Sequence, residues 1–212
     1  LAVGWIVTNE NFMTRQNFFT NLKLTASWGL TGNQAISAYS TLSTYSNLNT
    51  TLSPDESVPA ILIDRAANPD LKWETTEQKN LAVEIGVLKN RVQAKFDYFI
   101  KDTRDLLFWV GLPAYVGGGA IMKNVGSVGN KGWEFELRGT PIQNNRFTWE
   151  SSFNYSKVNN KIKALANGIT EDPWDSDIGA GATIYPEYLL KVGEPMGAMY
   201  GLNYLGTWKP KE

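Results

Sequence analysis

Glu134 and Glu136 are the carboxylates in this sequence whose spacing could support catalysis, because residues two apart on a strand point to the same face. A glycoside hydrolase uses such a pair, with one acid and one base or nucleophile on either side of the scissile bond. Neighbours on one strand supply no partner across a cleft. The chain also has no His and no Cys, which excludes a Ser-His-Asp or Cys-His enzyme within it. The sequence therefore predicts no catalytic residue and no enzyme activity.

Two other segments have features of a site for a metal ion or a phosphate group. Asp172, Asp175 and Asp177 could offer oxygen ligands to Ca²⁺, but they lack the full spacing of a calcium loop. Tyr115–Ala120, YVGGGA, is rich in Gly like a phosphate loop, yet it lacks the GxxxxGK[ST] pattern and no helix follows. Both segments are interpreted as solvated outer loops, so no metal site and no cofactor are expected.

Aromatic residues in these polar stretches could stack on a sugar or a peptide. The candidate contacts for a substrate or partner are Trp174, Tyr185, Tyr188 and Tyr115. The net charge of −1 over 212 residues suggests no surface for a nucleic acid.

One uncharged stretch, Leu106–Met122, has nearly the length of a membrane-spanning helix. It contains Pro113, which costs about 3 kcal/mol inside a helix, and four Gly, which cost roughly 1 kcal/mol each. A strand end followed by a loop is therefore expected here.

Six segments alternate apolar and polar residues, the pattern of strands with one apolar face. In Asn124–Gly139, for example, Trp133, Phe135 and Leu137 are apolar and charged residues lie between them. The six segments are Leu1–Val7, Leu22–Trp28, Leu81–Val87, Val92–Ile100, Trp133–Leu137 and Phe147–Tyr155, and a further strand is expected around Ala198–Trp208.

The connections between these segments alternate in length. Lys89–Asn90 predicts a two-residue turn that pairs Val87 with Val92 and keeps both apolar sets on one face. Pro141–Asn145 predicts a second short turn. The other connections are long and rich in Gly, Ser, Asn, Thr and Pro: Thr31–Asp70, Thr103–Lys123 and Asn160–Pro195.

Alternation alone fits a soluble β-sandwich slightly better than a membrane barrel. Three features reverse this preference: a strand expected to run from Arg91 to about Trp109, short turns opposite long loops, and Trp residues near the ends of the apolar stretches. A cation that faces the bilayer midplane costs about 2–4 kcal/mol, so the charged face must line the lumen. The expected lumen-facing residues are Lys95, Asp97, Glu134, Glu136 and Arg138.

Longer motifs follow each other in a specific order. Asn68–Phe108 reads NPDLKWETTEQKNLAVEIGVLKNRVQAKFDYFIKDTRDLLF, and it is followed by NVGSVGNKGWEFELRGTPI at 124–142 and FTWESSFNYSKVNNKI at 147–162. LKLTASWGLTGNQ precedes them and VGEPMGAMYGLNYLGTW follows. This series resembles the SusC/RagA family of TonB-dependent outer-membrane transporters over almost the whole chain.

The resemblance implies an all-β fold, a segment of an antiparallel transmembrane β-barrel with about seven of roughly 22 strands, long outer loops and short periplasmic turns. Residues 1–212 would form one partial barrel domain, with the plug and the remaining strands absent. The implied function is TonB-dependent import of a bulky nutrient, a glycan or oligopeptide, across the bacterial outer membrane. The implied partners are a SusD-like surface lipoprotein, TonB through parts absent from this chain, and outer-membrane lipid. The alternative is a secreted soluble β-sandwich that binds carbohydrate.

Overall fold

The structure, a computed structural model, describes residues 1–34, 36–53, 56–112, 115, 119–165, 168–174, 188–201 and 203–206. These residues form mainly β-strands, with two short 3₁₀ turns, Val7–Asn9 and Asn11–Met13, between the first two strands. Among the described residues, no helix is long and apolar enough to cross a membrane.

The strands of the described residues form three sheets. In chain order they are β1 (Ala2–Ile6), β2 (Phe19–Asn33), β3 (Thr44–Ser53), β4 (Glu56–Arg65), β5 (Glu74–Val87), β6 (Val92–Arg104), β7 (Leu107–Gly111), β8 (Ala120–Asn124), β9 (Ser127–Gln143), β10 (Thr148–Ala164), β11 (Glu171–Trp174), β12 (Tyr188–Lys191) and β13 (Ala198–Met199). The main sheet has the order β1-β2-β5-β6-β9-β10, with every neighbouring pair antiparallel. The second sheet has the order β3-β4-β8-β7, and the third has the order β11-β12-β13.

The register of the main sheet keeps one apolar face continuous across all six strands. The cross-strand row through the centre of this face reads Trp5, Leu24, Val83, Phe96, Phe135 and Tyr155. Side chains alternate between the two faces, so a slip of one residue in any pair would interrupt the row. The six alternating segments predicted from the sequence thus form one sheet.

The apolar face is open in the described part of the chain. Leu81, Phe96 and Phe153 expose 54%, 44% and 56% of their surface. Ring centroids on this face are 6.1 Å apart between Phe96 and Trp133 and 5.0 Å apart between Trp133 and Tyr155. No second sheet covers these residues in the region that the structure describes, which does not fit the core of a β-sandwich.

The buried apolar side chains of the main sheet lie on its opposite, mostly polar face. They are Ala82, Val128 and Ile162. Val128 and Ile162 are register partners near the long-connection end of β9 and β10. Ile162 also exchanges backbone hydrogen bonds with the turn after β12, where its N–H donates to the Glu194 carbonyl and its carbonyl accepts from Gly193 N–H, at 2.9 and 2.8 Å.

The turn between β5 and β6 is longer than the two residues predicted. Residues 88–91 connect the strands, and the first three of them have positive φ, between 55° and 63°. The predicted pairing of Val87 with Val92 is nevertheless confirmed, so the register of the apolar face is unchanged.

The second short turn lies later in the chain than predicted. Strand β9 continues to Gln143, so Pro141–Asn145 lies partly within a strand. Asn144 Oδ1 accepts hydrogen bonds from the backbone N–H groups of Arg146 and Phe147, at 2.9 and 2.8 Å. A side-chain cap of this kind satisfies donors that leave the ladder, which favours a turn starting at Asn144.

A bulge in β9 lies just before this turn. Thr140 and Pro141 lie opposite the single residue Glu150 of β10, and the extra residue moves Ile142 onto the apolar face. The guanidinium group of Arg91, in the β5–β6 turn, holds the bulge in place. It donates to the Thr140 carbonyl from Nε at 3.2 Å and from Nη2 at 3.1 Å, and to the Pro141 carbonyl from Nη2 at 2.7 Å.

The strand predicted from Arg91 to Trp109 is broken. Strand β6 ends at Arg104, Asp105 has a φ of 58°, and β7 begins at Leu107 in a different sheet. A residue with positive φ interrupts an extended strand, so the chain leaves the main sheet after Arg104. Strands β9 and β10 contain 17 residues each and do exceed the ~9–11 residues that a bilayer requires.

In the described part of Ala198–Trp208, the predicted strand is limited to β13, with two residues. It pairs with β12 in the third sheet and not with a strand of the main sheet. Trp208 lies outside the described residues.

The second sheet is built from the two long connections of the main sheet. Strands β3 and β4 lie between β2 and β5, while β7 and β8 lie between β6 and β9. The two pairs meet through a parallel contact between Arg65 and Ala120. The described residues of Leu106–Met122 are thus strands and loop, as the Pro and Gly content predicts.

Candidate functional site: the polar face and the long connections

The polar face of the main sheet brings together the five residues predicted to face a lumen. Lys95 and Asp97 of β6 are paired with Glu136 and Glu134 of β9, and Arg138 lies one row nearer the short turns. Alternation along the strands places all five on the face opposite the apolar one. Their contact with a lumen stays a prediction.

Ion pairs link neighbouring charges on this face. Lys95 Nζ lies 3.0 Å from Asp97 Oδ2, and the Arg138 guanidinium contacts the Glu136 carboxylate. Exposed pairs of this kind contribute about 0–1 kcal/mol to stability. Their main effect is therefore to offer hydrogen-bonding groups to water or to a ligand.

Two further charged residues, which are not among the five predicted ones, extend the cluster. Lys23 of β2 and Glu84 of β5 lie in the same cross-strand row as Lys95, and Lys23 Nζ is 3.6 Å from Glu84 Oε1. The row alternates in sign through Lys23, Glu84, Lys95 and Glu136 and ends at Asn154 of β10. Both residues lie on the polar side of their own alternating segments, so the pattern contained a signal for them.

Three shallow hollows lie along the polar face. Their volumes are about 420, 300 and 460 Å³, and Glu136 and Arg138 line all three. None of them encloses a ligand as a small-molecule site does. A surface of this kind suits many weak polar contacts to a large ligand or to a packed protein segment.

An aromatic ring lies on the polar face nearer the long connections. Phe99 of β6 covers Gly132 of β9, where an added Cβ would lie 3.0 Å from Phe99 Cζ. Lys101 Nζ lies 5.4 Å from the centroid of this ring, within the range of a cation–π contact. The absence of a side chain at Gly132 lets the ring approach the sheet, as in aromatic rescue of strand glycines.

The two long connections are tied together by asparagines of the family-like motifs. Asn124 Nδ2 donates to the carbonyls of Lys72 and Asp105, at 2.7 and 2.9 Å, and Asn124 Oδ1 accepts from the Lys72 N–H at 2.6 Å. Asn68 Nδ2 donates to the Met122 carbonyl at 2.7 Å. The NPDLKWE and NVGS motifs thus have a structural role where the connections leave the wall.

Replacing Asn124 with alanine should loosen the connections and leave the wall intact. The change removes three hydrogen bonds, each worth about 0.5–1.5 kcal/mol. In the full-length protein we expect faster amide hydrogen exchange in residues 66–73 and 120–126, and unchanged exchange in β6 and β9. Asn47→Ala is the matched control, because Asn47 lies in β3 and has no side-chain hydrogen bond in the described structure. Equal exchange in both variants would contradict the proposed tie.

The structure describes two of the four aromatic side chains predicted to contact substrate. Tyr115 is 87% exposed. Tyr188 begins β12, where its register partners are Trp174 of β11 and Met199 of β13. Only the backbone of Trp174 is described, and Tyr185 lies outside the described residues. Contact of these residues with a substrate remains a prediction.

The acidic segment with possible oxygen ligands for Ca²⁺ lies mostly outside the described residues. Asp175 and Asp177 fall outside them, and the described residues hold no group of three acidic, His or Cys side chains that could bind a metal ion. In the third sheet, Lys191 Nζ donates a hydrogen bond to the Glu171 carboxylate at 2.6 Å, which raises the pKa of the Lys191 ammonium group. The charges of Lys191 and Glu171 therefore neutralise each other.

Known proteins similar in sequence agree on one family. The family model of TonB-dependent receptor-like β-barrels matches residues 3–209. TonB-dependent receptor P3 of Formosa agariphila is 36% identical over 156 residues, which cover 73% of this chain and 15% of that protein. TonB-dependent receptor SusC of Bacteroides thetaiotaomicron is 36% identical over 109 residues, which cover 51% of this chain and 11% of that protein.

A solved structure leads to the same family. The RagAB peptide transporter matches with a TM-score of 0.74 and 28% sequence identity, over 92% of this chain and 20% of the compared chain. This chain thus spans between 11% and 20% of the length of SusC, receptor P3 and the RagAB chain. The likeness confirms the predicted antiparallel β-barrel segment and the resemblance to SusC and RagA. The chain belongs to the family of TonB-dependent receptor-like β-barrel proteins.

Proposed function

We propose that this chain forms part of the barrel wall of an outer-membrane transporter that imports a bulky nutrient, a glycan or oligopeptide, with energy delivered by TonB. Membership in the receptor-like barrel family supports this function. Residues 1–212 belong to one partial barrel domain and supply wall, lumen lining and outer loops. TonB acts through parts of the protein outside this chain, and no covalent bond is made or broken.

The observation that carries the proposal is an open apolar face backed by a charged face on the same strands. In β6 the apolar face from Val92 to Ile100 has no charge, whereas the other face carries Lys95, Asp97 and Lys101. These nine residues match the ~9–11 residues with which a tilted strand crosses a bilayer. If this face met water instead of lipid, each Å² of exposed apolar surface would cost about 25 cal/mol of folding free energy.

A polar wall with charges of alternating sign suits passage of a large hydrated cargo. The row of Lys23, Glu84, Lys95 and Glu136 offers donors and acceptors side by side. Cargo can exchange its hydrogen bonds to water for such contacts one at a time, and each contact is individually weak. The cargo is therefore held loosely enough to be released on the inner side.

The long connections are proposed to contact the cargo and a SusD-like surface lipoprotein. They leave the main sheet at the end opposite the β5–β6 and β9–β10 turns. The RagAB transporter by its name carries peptides, which supports an oligopeptide for this chain. Exposed aromatic residues such as Tyr115 equally suit a glycan, because sugar rings stack on aromatic faces.

Cysteine labelling in intact outer membranes tests which face meets lipid. Phe96→Cys in the full-length protein should react with a lipid-soluble thiol reagent and resist a water-soluble one, and Asp97→Cys should do the reverse. This chain has no Cys of its own, so each variant adds one reactive thiol to it. Tyr115→Cys is the control for access of the water-soluble reagent, because Tyr115 is exposed in a long connection.

A different labelling pattern would favour the alternative function. If Phe96→Cys and Asp97→Cys both resist, or if the protein is released with the soluble fraction, the apolar face is a protein core. The chain would then be better described as a secreted β-sandwich that binds carbohydrate.

A further inference from the structure

A small hollow on the apolar side of the wall has an unusual lining. It lies over Gly129, where the apolar band gives way to charged residues, and has a volume of about 240 Å³. Three lysines and one carboxylate surround it: Lys131, Lys161, Lys163 and Asp102. Strand parity places Lys131, Lys161 and Asp102 on the face that carries Phe96 and Trp133, and the contact of Lys163 with Asp102 brings its side chain to the same face.

Gly129 opens the space for this hollow. An added Cβ on Gly129 would lie 2.5 Å from Lys163 Cε and 3.1 Å from Asp102 Oδ1. The Lys163 side chain instead crosses β9 above the glycine and donates to Asp102 Oδ1 at 2.5 Å. One of the three lysines is therefore held in place across the hollow by an ion pair.

The other two lysines leave the hollow with uncompensated positive charge. Lys131 and Lys161 make no ion pair in the described structure, and the one carboxylate at the hollow, Asp102, is already bound to Lys163. The hollow thus presents two free ammonium groups beside a fixed third one. An anion with several oxygen atoms, such as a phosphate group, matches this arrangement of donors.

The position of the hollow indicates where the phosphate would come from. Ile100 also lines the hollow and is the register partner of Lys131. Trp133 follows Lys131 by two residues on β9, on the side of the apolar residues. An anion bound here would have apolar and aromatic side chains directly beneath it. Lysines and aromatic residues meet in this order at the boundary between lipid head groups and acyl chains.

We propose that this hollow binds the phosphate group of an anionic lipid, with its acyl chains on the apolar face below. The proposal rests on the proposed function, since it requires that this face meets the membrane. Lys131 and Lys161 supply the attraction, and the Lys163–Asp102 pair fixes one wall of the hollow. The bound lipid would fasten the wall at its boundary with the long connections.

Native mass spectrometry of the full-length protein with added lipid tests the proposal. The wild type should retain phosphatidylglycerol in preference to phosphatidylcholine. The double variant Lys131→Gln, Lys161→Gln should bind phosphatidylglycerol roughly 30-fold more weakly, since each lysine near an anionic surface contributes about a factor of five. Lys131→Arg with Lys161→Arg should restore retention. The matched control is Lys72→Gln with Lys123→Gln, which removes the same charge from the long connections and should retain lipid like the wild type.

Three results would overturn the proposal. One is equal retention of the two lipids by the wild type, and another is an equal loss in both glutamine variants. The third is full displacement of phosphatidylglycerol by inorganic phosphate, which would mark the hollow as a site for a free anion. The labelling of Phe96→Cys and Asp97→Cys in the same preparation distinguishes a failure of the lipid site from a failure of the proposed function. Labelling as expected without a lysine effect refutes only the lipid site, whereas labelling of Phe96→Cys from water refutes the proposed function as well.

Discussion

Full-length protein carrying Phe96→Lys should fold into a barrel that is clearly less stable than the wild type. Phe96 lies in the central row of the apolar face, between Val83 and Phe135, and stacks on Trp133 with a centroid distance of 6.1 Å. A lysine at the bilayer midplane costs about 2–4 kcal/mol. That cost lowers the ratio of folded to unfolded protein roughly 30- to 700-fold. The measurement is a urea titration of protein folded into liposomes, with the folded fraction read from the heat-dependent shift on an electrophoresis gel.

Ser156→Lys is the matched control for this change. Ser156 is the neighbour of Tyr155 on β10, lies on the polar face and is the register partner of Glu134. The variant adds the same charge at nearly the same depth, beside a carboxylate, and its free energy of unfolding should change by less than about 0.5 kcal/mol. Equal losses in both lysine variants would mean that the two faces have similar surroundings. An unaffected Phe96→Lys protein would mean that the apolar face does not meet lipid.

Gly132→Ala should destabilise the wall although it adds only one methyl group. An added Cβ would overlap the carbonyl oxygen of Lys157 and lie 3.2 Å from Val158 Cα and 3.0 Å from Phe99 Cζ. Two of these atoms belong to the backbone of β10, which cannot move without weakening its ladder with β9. Overpacking of this kind costs about 1–3 kcal/mol, and the free energy of unfolding from the same titration measures it.

Gly29→Ala provides the comparison for Gly132→Ala. Gly29 lies on the polar face of β2 with ordinary backbone angles, and no heavy atom lies within 4 Å of an added Cβ. Alanine restricts the unfolded chain, so this variant should be as stable as the wild type or up to about 1 kcal/mol more stable. If the two alanine variants behave alike, β9 and β10 do not approach each other closely at Gly132.

The main sheet could be predicted from the sequence because several apolar residues on each strand favour the same register. Alternating segments became β1, β2, β5, β6, β9 and β10. The pairing of Val87 with Val92 persists although the turn has four residues where two were expected. A shifted register would turn a whole row of apolar residues to the polar side, so the apolar pattern outweighs the details of the turn.

The ends of the strands could not be predicted in the same way. Asp105 adopts a positive φ and ends the wall, but an Asp within an alternating segment does not require that conformation. The bulge at Thr140 and Pro141 depends on hydrogen bonds from Arg91, which lies in another turn. Such contacts exist only after β6 and β9 are paired, so they leave no local period in the sequence.

In the candidate site, too, some features could be predicted from alternation and others depend on strand pairing. Lys95 and Asp97 on β6, and Glu134 on β9, could each be assigned to the charged face of their own strand from alternation alone. Alternation also places Lys23 and Glu84 on the polar side of their strands, but the row that they share with Lys95 follows only from the pairing of β2 with β5 and of β5 with β6. The aromatic candidates in the third sheet carry no periodic pattern, and nothing in their spacing indicates what they contact.

The hydrogen bonds of Asn124 have a consequence for how proteins of this kind diverge. Asn124 in one connection grips Lys72 in the other, whereas the ladders of β5, β6 and β9 are complete without either connection. A recombination event that brought in residues 105–126 alone would keep this tie if the incoming stretch has Asn at position 124, because its partners at positions 72 and 105 are backbone groups. We therefore expect Asn124 to be retained when either connection is exchanged. The other side chains of both connections can then change without loosening the tie, and the ladders of the main sheet stay as they are.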